Sequence, residues 1–154
     1  MTDDIRKSIH SYYDVYFGIG AIYERFAKAH DITSTAMFVL FMVKEFSTSC
    51  TQRFICDKLM YPKQTVNTIL DAFEKQGYIT KQIAPTDKRS KYILLTDAGH
   101  AYADRMIYDM QQLEETAFTG MRTDQRHGMR DGEQAFLEQL SRAMDTFTKG
   151  EQTT

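Results

Sequence analysis

Apolar residues recur at steps of three and four through residues 5–26 of the sequence. That spacing is the period of an amphipathic α-helix, so a long helix is predicted there. Residues 33–46 are apolar on nearly all sides, which indicates a core helix, and the hydroxyl of Thr33 or Ser34 is suited to cap its first turn. Its run of seven apolar residues is shorter than the roughly 20 that a membrane span needs.

Two shorter helices with a tight turn between them are predicted next. Thr51 is suited to cap a helix that runs to Leu59, and Pro62 opens a further helix, where its missing N–H costs nothing. This further helix is expected to stop at Gly77, since glycine readily adopts the left-handed conformation that ends many helices. Helix, tight turn and helix is the order of a helix-turn-helix motif.

A β-hairpin and two long helices complete the predicted order. Residues 78–84 and 91–95 are rich in β-branched and aromatic side chains, and the segment between them, 85–90, has turn chemistry and a charged tip. Thr96 is suited to cap a long helix, and a last helix follows residues 120–132, which show no clean period. The chain is therefore mainly α (α+β), with the order of a winged helix-turn-helix, whose second short helix lies in the major groove of DNA.

Charge is distributed unevenly, although the 19 basic and 21 acidic residues nearly cancel. Residues 51–95 carry eight basic and four acidic side chains, whereas residues 1–50 have a net charge of −1 and residues 96–154 of −5. The predicted helix-turn-helix and hairpin are thus the basic part of the chain, and this part would attract an anionic partner such as DNA.

The helix after the turn is predicted to present Lys63, Gln64, Asn67, Thr68 and Asp71 on the face opposite its apolar stripe. Asn and Gln side chains can pair with adenine through two hydrogen bonds, and the N-terminus of a helix favours phosphate. An ordinary solvated helix face has a similar composition, so this face indicates DNA binding only together with the hairpin.

The predicted tip of the hairpin adds Arg89, with Asp87, Lys88 and Lys91 around it. Such an arginine can enter the minor groove, and Asp87 can hold its guanidinium in position. The lysines can contact phosphate, which gives affinity without sequence information. A charged, solvated turn is the alternative interpretation.

Several segments carry a resemblance to a known family. Residues 51–59 (Thr-Gln-Arg-Phe-Ile-Cys-Asp-Lys-Leu) resemble its first helix-turn-helix helix, and Thr65-Val66 with 73–79 (Phe-Glu-Lys-Gln-Gly-Tyr-Ile) resemble its recognition helix and exit. Residues 87–90 (Asp-Lys-Arg-Ser) and 95–99 (Leu-Thr-Asp-Ala-Gly) match its wing signature of Asp-x-Arg followed by Leu-Thr-x-x-Gly. This is the MarR family of bacterial regulators.

The resemblance covers nearly the whole chain and implies one domain, 1–154, that binds double-stranded DNA as a homodimer. Approximately residues 1–32 and 97–149 would form the dimerisation helices, and approximately residues 33–96 would form the winged helix-turn-helix. A two-fold dimer implies a pseudo-palindromic operator. Family members mostly repress transcription and release DNA when a small molecule binds. The residues expected to contact DNA are Thr51, Lys63, Gln64, Thr65, Asn67, Thr68, Lys88, Arg89, Ser90 and Lys91, with Asp87 positioning the wing.

The resemblance also implies an effector pocket between the dimerisation helices and the DNA-binding lobe, and many members respond to phenolic or other aromatic anions. The aromatic candidates for that pocket are Tyr12, Tyr13, Tyr16, Phe17, Tyr23 and Phe38. Filling of the dimer core by these rings is the alternative.

A redox-sensing regulator is a further hypothesis, because the chain has two cysteines. Cys56 occupies the small apolar position of the first helix-turn-helix helix and is predicted to be a buried structural thiol. Cys50 lies at the turn and is the candidate sensor.

Neither catalysis nor a cofactor is indicated by the sequence. The four histidines are scattered singly, and we find no metal-ligand spacing, phosphate loop or nucleophile elbow. We therefore expect no enzyme activity and no metal. Without a signal peptide or apolar span, a cytoplasmic protein that is not membrane-bound is expected. A winged-helix module that docks an acidic protein surface through its charged hairpin remains the other hypothesis.

Overall fold

The structure, a computed structural model, describes residues 1–47, 49–84 and 87–151, and their side chains except those of 84, 87–90 and 149–151. The elements in these ranges are α1 (Asp3–Ala29), α2 (Ser34–Glu45), α3 (Gln52–Leu59), α4 (Lys63–Lys75), β1 (Ile79–Ala84), β2 (Asp87–Leu95), α5 (Asp97–Gly120) and α6 (Thr123–Glu151). The predicted fold class, mainly helical with a small sheet, is confirmed.

Each of the first three helices, like α5 after Thr96, begins at a threonine whose hydroxyl accepts a backbone N–H three residues further on. Thr2, Thr33 and Thr51 cap α1, α2 and α3, with Oγ1 to N distances of 3.4, 3.2 and 3.1 Å. Each cap satisfies an amide that has no partner inside its helix, which is worth about 1 kcal/mol. The predicted caps at Thr33 and Thr51 are therefore confirmed.

The core is built around α2, whose Met37, Val39, Leu40 and Val43 are fully buried. Burying a side chain of this size contributes roughly 1.5–3 kcal/mol, so α2 is held by packing on several sides. The other elements contribute Ala27, Ile55, Val66, Leu70, Phe73, Ile79, Ile93, Ala103, Met106, Ile107 and Met110 to the same cluster. Within the described ranges, every helix falls short of the length and apolarity that a membrane span requires.

The two strands form an antiparallel hairpin whose register is regular from Ile79 opposite Leu95 to Ile83 opposite Lys91. Beyond that point Ala84 pairs with Asp87, so residues 88–90 fall between two successive pairs in a bulge of the second strand. The prediction that 85–90 form a turn was wrong for 87–90, because their backbone continues β2 to the end of the hairpin.

The chain divides into two compact units, Met1–Met110 and Gln111–Thr154. The second unit contains the end of α5 and the whole of α6, with a short break at residues 121–122. There the guanidinium of Arg126 donates hydrogen bonds to the carbonyls of Phe118 and Met121, at 3.0 and 2.5 Å. Residues 123–132 are helical although their sequence lacks an apolar period.

Candidate nucleic-acid interface

Helices α3 and α4 are joined by a turn of three residues with a fixed geometry. Met60 adopts the left-handed conformation, φ 54° and ψ 32°, which ends α3, and Pro62 then directs the chain into α4. The side-chain amide of Gln52 donates a hydrogen bond to the carbonyl of Lys63 at 3.2 Å. This bond crosses from one helix to the other and fixes the start of α4.

One face of α4 is buried and the opposite face is exposed. Val66, Leu70 and Phe73 pack into the core. The predicted DNA-contacting residues Lys63, Gln64, Thr65 and Thr68 are exposed, and Asn67 is half-buried. The hydroxyl of Thr68 donates to the Gln64 carbonyl at 3.0 Å, so its lone pairs remain as acceptors. Pro62 supplies no side-chain cap, which leaves the first amides of α4 as donors for an anion.

A network of polar side chains joins α4 to the hairpin. The amide of Asn67 donates to Asp71 at 2.8 Å, and Lys81 of β1 donates to both Asp71 and Glu74 at 2.8 Å. Burial by itself lowers the pKa of Lys81, but its hydrogen bonds to Asp71 and Glu74 and their negative charges outweigh burial and raise the pKa. This network was not predicted from the sequence, although an Asn and an Asp four residues apart on a helix are neighbours and signal such a bond.

A basic cavity of about 640 Å³ lies beside α4. Its described lining includes the cationic side chains of Arg53, Lys63, Lys81 and Lys91, together with Asp57, which lies 3.6 Å from Arg53. The exposed Lys91 of β2 thus lies at the same concave surface as the N-terminal part of α4. Because Arg53 is paired with Asp57, and Lys81 with two carboxylates of α4, the basic character of the concavity depends mainly on Lys63 and Lys91.

The wing positions predicted to contact DNA are described only by their backbone. Asp87, Lys88, Arg89 and Ser90 lie on β2, and their side chains are outside the described residues. The roles predicted for Arg89 in the minor groove and for Asp87 in holding it therefore stay predictions.

The base of the hairpin is fixed to α5 by the Leu-Thr-x-x-Gly motif. The amide of Thr96 donates to the Tyr78 carbonyl at 3.0 Å. Its hydroxyl donates to the Gly77 carbonyl at 2.6 Å and accepts from the amide of Gly99 at 3.0 Å. A Cβ at Gly99 would lie 1.8 Å from the Tyr78 carbonyl oxygen, so this approach requires glycine. The motif therefore sets where the wing leaves the core.

Thr51 has a structural task in addition to its predicted contact with DNA. Its half-buried hydroxyl caps α3, and its backbone forms an isolated bridge with Tyr92 of β2. One residue away on each side of this bridge, the amide of Ile93 donates a hydrogen bond to the Cys50 carbonyl at 2.9 Å. Thr51 thus connects the first helix of the motif to the wing.

The two cysteines are placed in the reverse of the predicted manner. Cys50 is fully buried, and Cys56, predicted to be buried, is half-buried. Cys50 belongs to the hydrophobic core cluster, and burial raises the pKa of its thiol to about 12. Because the thiolate is the reactive form, Cys50 is poorly suited to redox sensing.

The predicted effector residues lie in two places. Tyr12, Tyr13, Tyr16 and Phe17 are 41–65 % exposed on α1 and form a ladder of ring contacts with centroids 5.2–6.0 Å apart. Tyr23 packs edge-on against Phe38, at 5.3 Å. Their role as a pocket stays a prediction.

A second cavity, of about 510 Å³, was not predicted. It lies between the α1–α2 junction and α4, and Tyr78 and Tyr102, whose rings stack at 4.7 Å, are part of its lining. His30 also lines it, with Nδ1 3.0 Å from the Phe26 carbonyl and Nε2 3.1 Å from Asp109. The hydrogen bond to Phe26, and then that to Asp109, raise the pKa of His30 against the opposing effect of burial. Among the described residues, no group of three or more His, Cys, Asp and Glu could hold a metal ion.

The turn between α3 and α4, the exposed polar face of α4 and the two-stranded wing together define a winged helix-turn-helix protein. Residues 30–90 match the model of the MarR family. The HTH-type transcriptional regulator YkoM of Bacillus subtilis (strain 168) is 31 % identical over 103 residues, which span 66 % of this chain and 66 % of YkoM. The chain belongs to the MarR family.

Solved structures show the same fold. The S. aureus MepR–DNA complex is 19 % identical, with a TM-score of 0.70, and the match covers 85 % of this chain and 96 % of that one. Staphylococcus aureus MarR in complex with salicylate and kanamycin is 21 % identical, with a TM-score of 0.72, and the match covers 89 % and 92 %. Family and fold are those of transcription regulators.

Proposed function

We propose that the protein is a sequence-specific transcriptional regulator that binds duplex DNA, with α4 as its recognition helix. The observation that carries this proposal is the exposed polar face of α4 beside a concavity lined by Arg53, Lys63, Lys81 and Lys91. Lys63 and Lys91 supply affinity for phosphate. Gln64, Asn67 and Thr68 supply hydrogen bonds to base edges. A structural neighbour, MepR, was solved in complex with DNA, which supports the same use of this fold.

A homodimer is the second part of the proposal. Large apolar side chains are exposed on α1, including Ile5, Ile9 and Phe17, and on α6, where Phe136, Leu137, Leu140, Met144 and Phe147 are 45–62 % exposed. Apolar surface of this extent on a single chain indicates an interface. With a second copy as the partner, two recognition helices would contact half-sites about one helical turn, roughly 34–36 Å, apart on a pseudo-palindrome.

Release of DNA by a small aromatic effector, and hence repression, is the third part. The 510 Å³ cavity supports it, because two stacked tyrosines line a space next to α4 that is large enough for a small aromatic molecule. A structural neighbour was solved with salicylate. We also propose a cytoplasmic location, because a bacterial regulator meets both the chromosome and its effector there. We propose no enzyme activity for the chain.

Fluorescence anisotropy with duplex DNA from the protein's own upstream region, and with unrelated duplex as competitor, tests the DNA-binding proposal. The affinity should fall with salt at a log–log slope of about −0.9 per neutralised phosphate. Gln64→Ala should lower the preference for the specific duplex about tenfold, because base contacts carry the discrimination. Gln111→Ala, an exposed glutamine on α5, is the matched control and should leave both values unchanged. A folded protein that binds no duplex at low salt would contradict the proposal and favour the protein-interaction module.

A further inference from the structure

The side chains of Lys81, Asp71 and Asn67 form a continuous chain of hydrogen bonds from the wing to the exposed polar face of α4. Lys81 on β1 donates to Asp71 at 2.8 Å, and Asp71 accepts a hydrogen bond from Asn67 at 2.8 Å. Asp71 uses Oδ1 for the lysine and Oδ2 for the asparagine, so one carboxylate holds both. Lys81 is only 20 % exposed and is also held by Glu74, which fixes where its ammonium lies.

We propose that Asp71, held by Lys81, is a positioning residue that fixes the amide of Asn67 for base recognition, so that DNA selectivity depends on a side chain that contacts no base. This inference rests on the proposed function, since it assigns a task within the recognition helix. DNA specificity would then depend on the ion pairs that connect α4 to β1 of the wing.

The physical need for such a residue follows from the chemistry of an asparagine side chain. Its amide has a donor end and an acceptor end of nearly the same shape, and rotation by half a turn exchanges them. A carboxylate only accepts, so Asp71 selects the orientation in which the NH₂ group faces it. One Nδ2 proton is used in this way, and the other proton and Oδ1 remain for a base. Adenine presents an acceptor, N7, beside a donor, N6–H, and so matches a fixed amide edge.

Lys81 is needed because a carboxylate near the DNA backbone is unfavourable. Asp71 and Glu74 lie on the same helix as the proposed base contacts, and their charges would repel phosphate. The ammonium of Lys81 offsets part of this charge and keeps Asp71 in place against Asn67. Since Lys81 belongs to β1, it also ties the orientation of the recognition helix to that of the wing.

The structure offers a matched pair of substitutions. Asp71→Asn and Glu74→Gln each remove one carboxylate charge that faces Lys81, but only Asp71 also holds Asn67. Asparagine at 71 can donate as well as accept, so the amide of Asn67 could then bind in either orientation. We expect Asp71→Asn to broaden the base preference at one position of each half-site, while binding to unrelated DNA does not weaken. Glu74→Gln should preserve the preference of the parent.

Selection from a randomised duplex DNA library, followed by sequencing, measures the base preference of the parent and of each variant. At the affected position, selectivity should fall about tenfold in Asp71→Asn, the effect of losing one well-placed base contact. In the Asn67→Ala background, Asp71→Asn should have no further effect, because the amide that it positions is gone. A merely structural role for Asp71 would lower affinity for every duplex alike.

The outcomes separate the two proposals. A folded parent that selects no sequence contradicts the proposed function itself. A parent that selects a site, with Asp71→Asn retaining the same preference at every position, overturns the positioning role of Asp71 alone. Circular dichroism establishes whether each variant is folded. If Asp71→Asn does not fold, Lys81→Met tests the positioning role of Asp71 in its place. A broadened base preference in Lys81→Met supports the inference, and an unchanged base preference overturns it.

Discussion

Replacement of Gly99 by alanine tests how the wing is fixed to the core. The added Cβ would lie 1.8 Å from the carbonyl oxygen of Tyr78 and 2.8 Å from its carbonyl carbon, where contacts below 3.0 Å essentially never occur. Both neighbours are backbone atoms, so no side chain can rotate away. The start of α5 and the end of the α4–β1 connection must therefore separate by about 1 Å.

The cost can be estimated from the bonds at this junction. A shift of that size stretches the hydrogen bond from Thr96 to Tyr78, 3.0 Å long, whose loss costs about 1 kcal/mol. Overpacking of a filled region costs typically about 1–3 kcal/mol more. Alanine regains roughly 0.5–1 kcal/mol from its higher helix propensity. We expect a net loss of about 2 kcal/mol in the free energy of unfolding, which lowers the Tm by roughly 4–8 °C.

Urea unfolding followed by far-UV circular dichroism, at one fixed protomer concentration, measures this change. Gly128→Ala is the control, because it makes the same substitution within a helix where nothing lies within 4 Å of the new Cβ. It should be neutral or stabilising by up to about 1 kcal/mol. If Gly99→Ala proves as stable as the parent, the close approach of Gly99 to Tyr78 does not exist in the protein.

Three further predictions concern buried and capping groups. The pKa of His30 is raised from 6.5, first by its hydrogen bond to the Phe26 carbonyl and then by Asp109. The stabilisation that protonated His30 contributes to the free energy of unfolding is therefore fully present below pH 6.5 and is lost as pH rises through the folded-state pKa. The difference in unfolding free energy between the parent and His30→Gln, measured in urea, should narrow above pH 6.5. Under native conditions a thiol-specific alkylating reagent should modify Cys56 well before Cys50, whose pKa is raised to about 12, and mass spectrometry of the digested protein would show the reverse order if Cys50 were accessible. Thr51→Ala should lose about 1 kcal/mol of unfolding free energy, whereas Thr51→Ser should not, and equal losses would mean that the hydroxyl does not cap α3.

The local chemistry of the chain was sufficient to predict most of the fold. Helix caps such as Thr33 and Thr51 act on amides three residues away, so the residue type and its position predict them directly. Gly77, with φ +77°, ends the recognition helix segment as expected from its freedom at positive φ. The Leu-Thr-x-x-Gly motif is also short-range in sequence, and the structure supplies its reason, the contact between Gly99 and Tyr78.

The sequence by itself determined the order of the elements, their caps and the polar face of α4, because these depend on residues within one or two turns of each other. Only the tertiary structure decided that Cys50 is buried, because its core cluster is assembled from elements far apart in the sequence, such as β2, whose Ile93 donates to the Cys50 carbonyl. The same holds for the bonds from Lys81 to Asp71 and from His30 to Asp109, which join residues 10 and 79 positions apart. Such contacts depend on how helices and strands pack in three dimensions, and no periodicity along the chain encodes that packing.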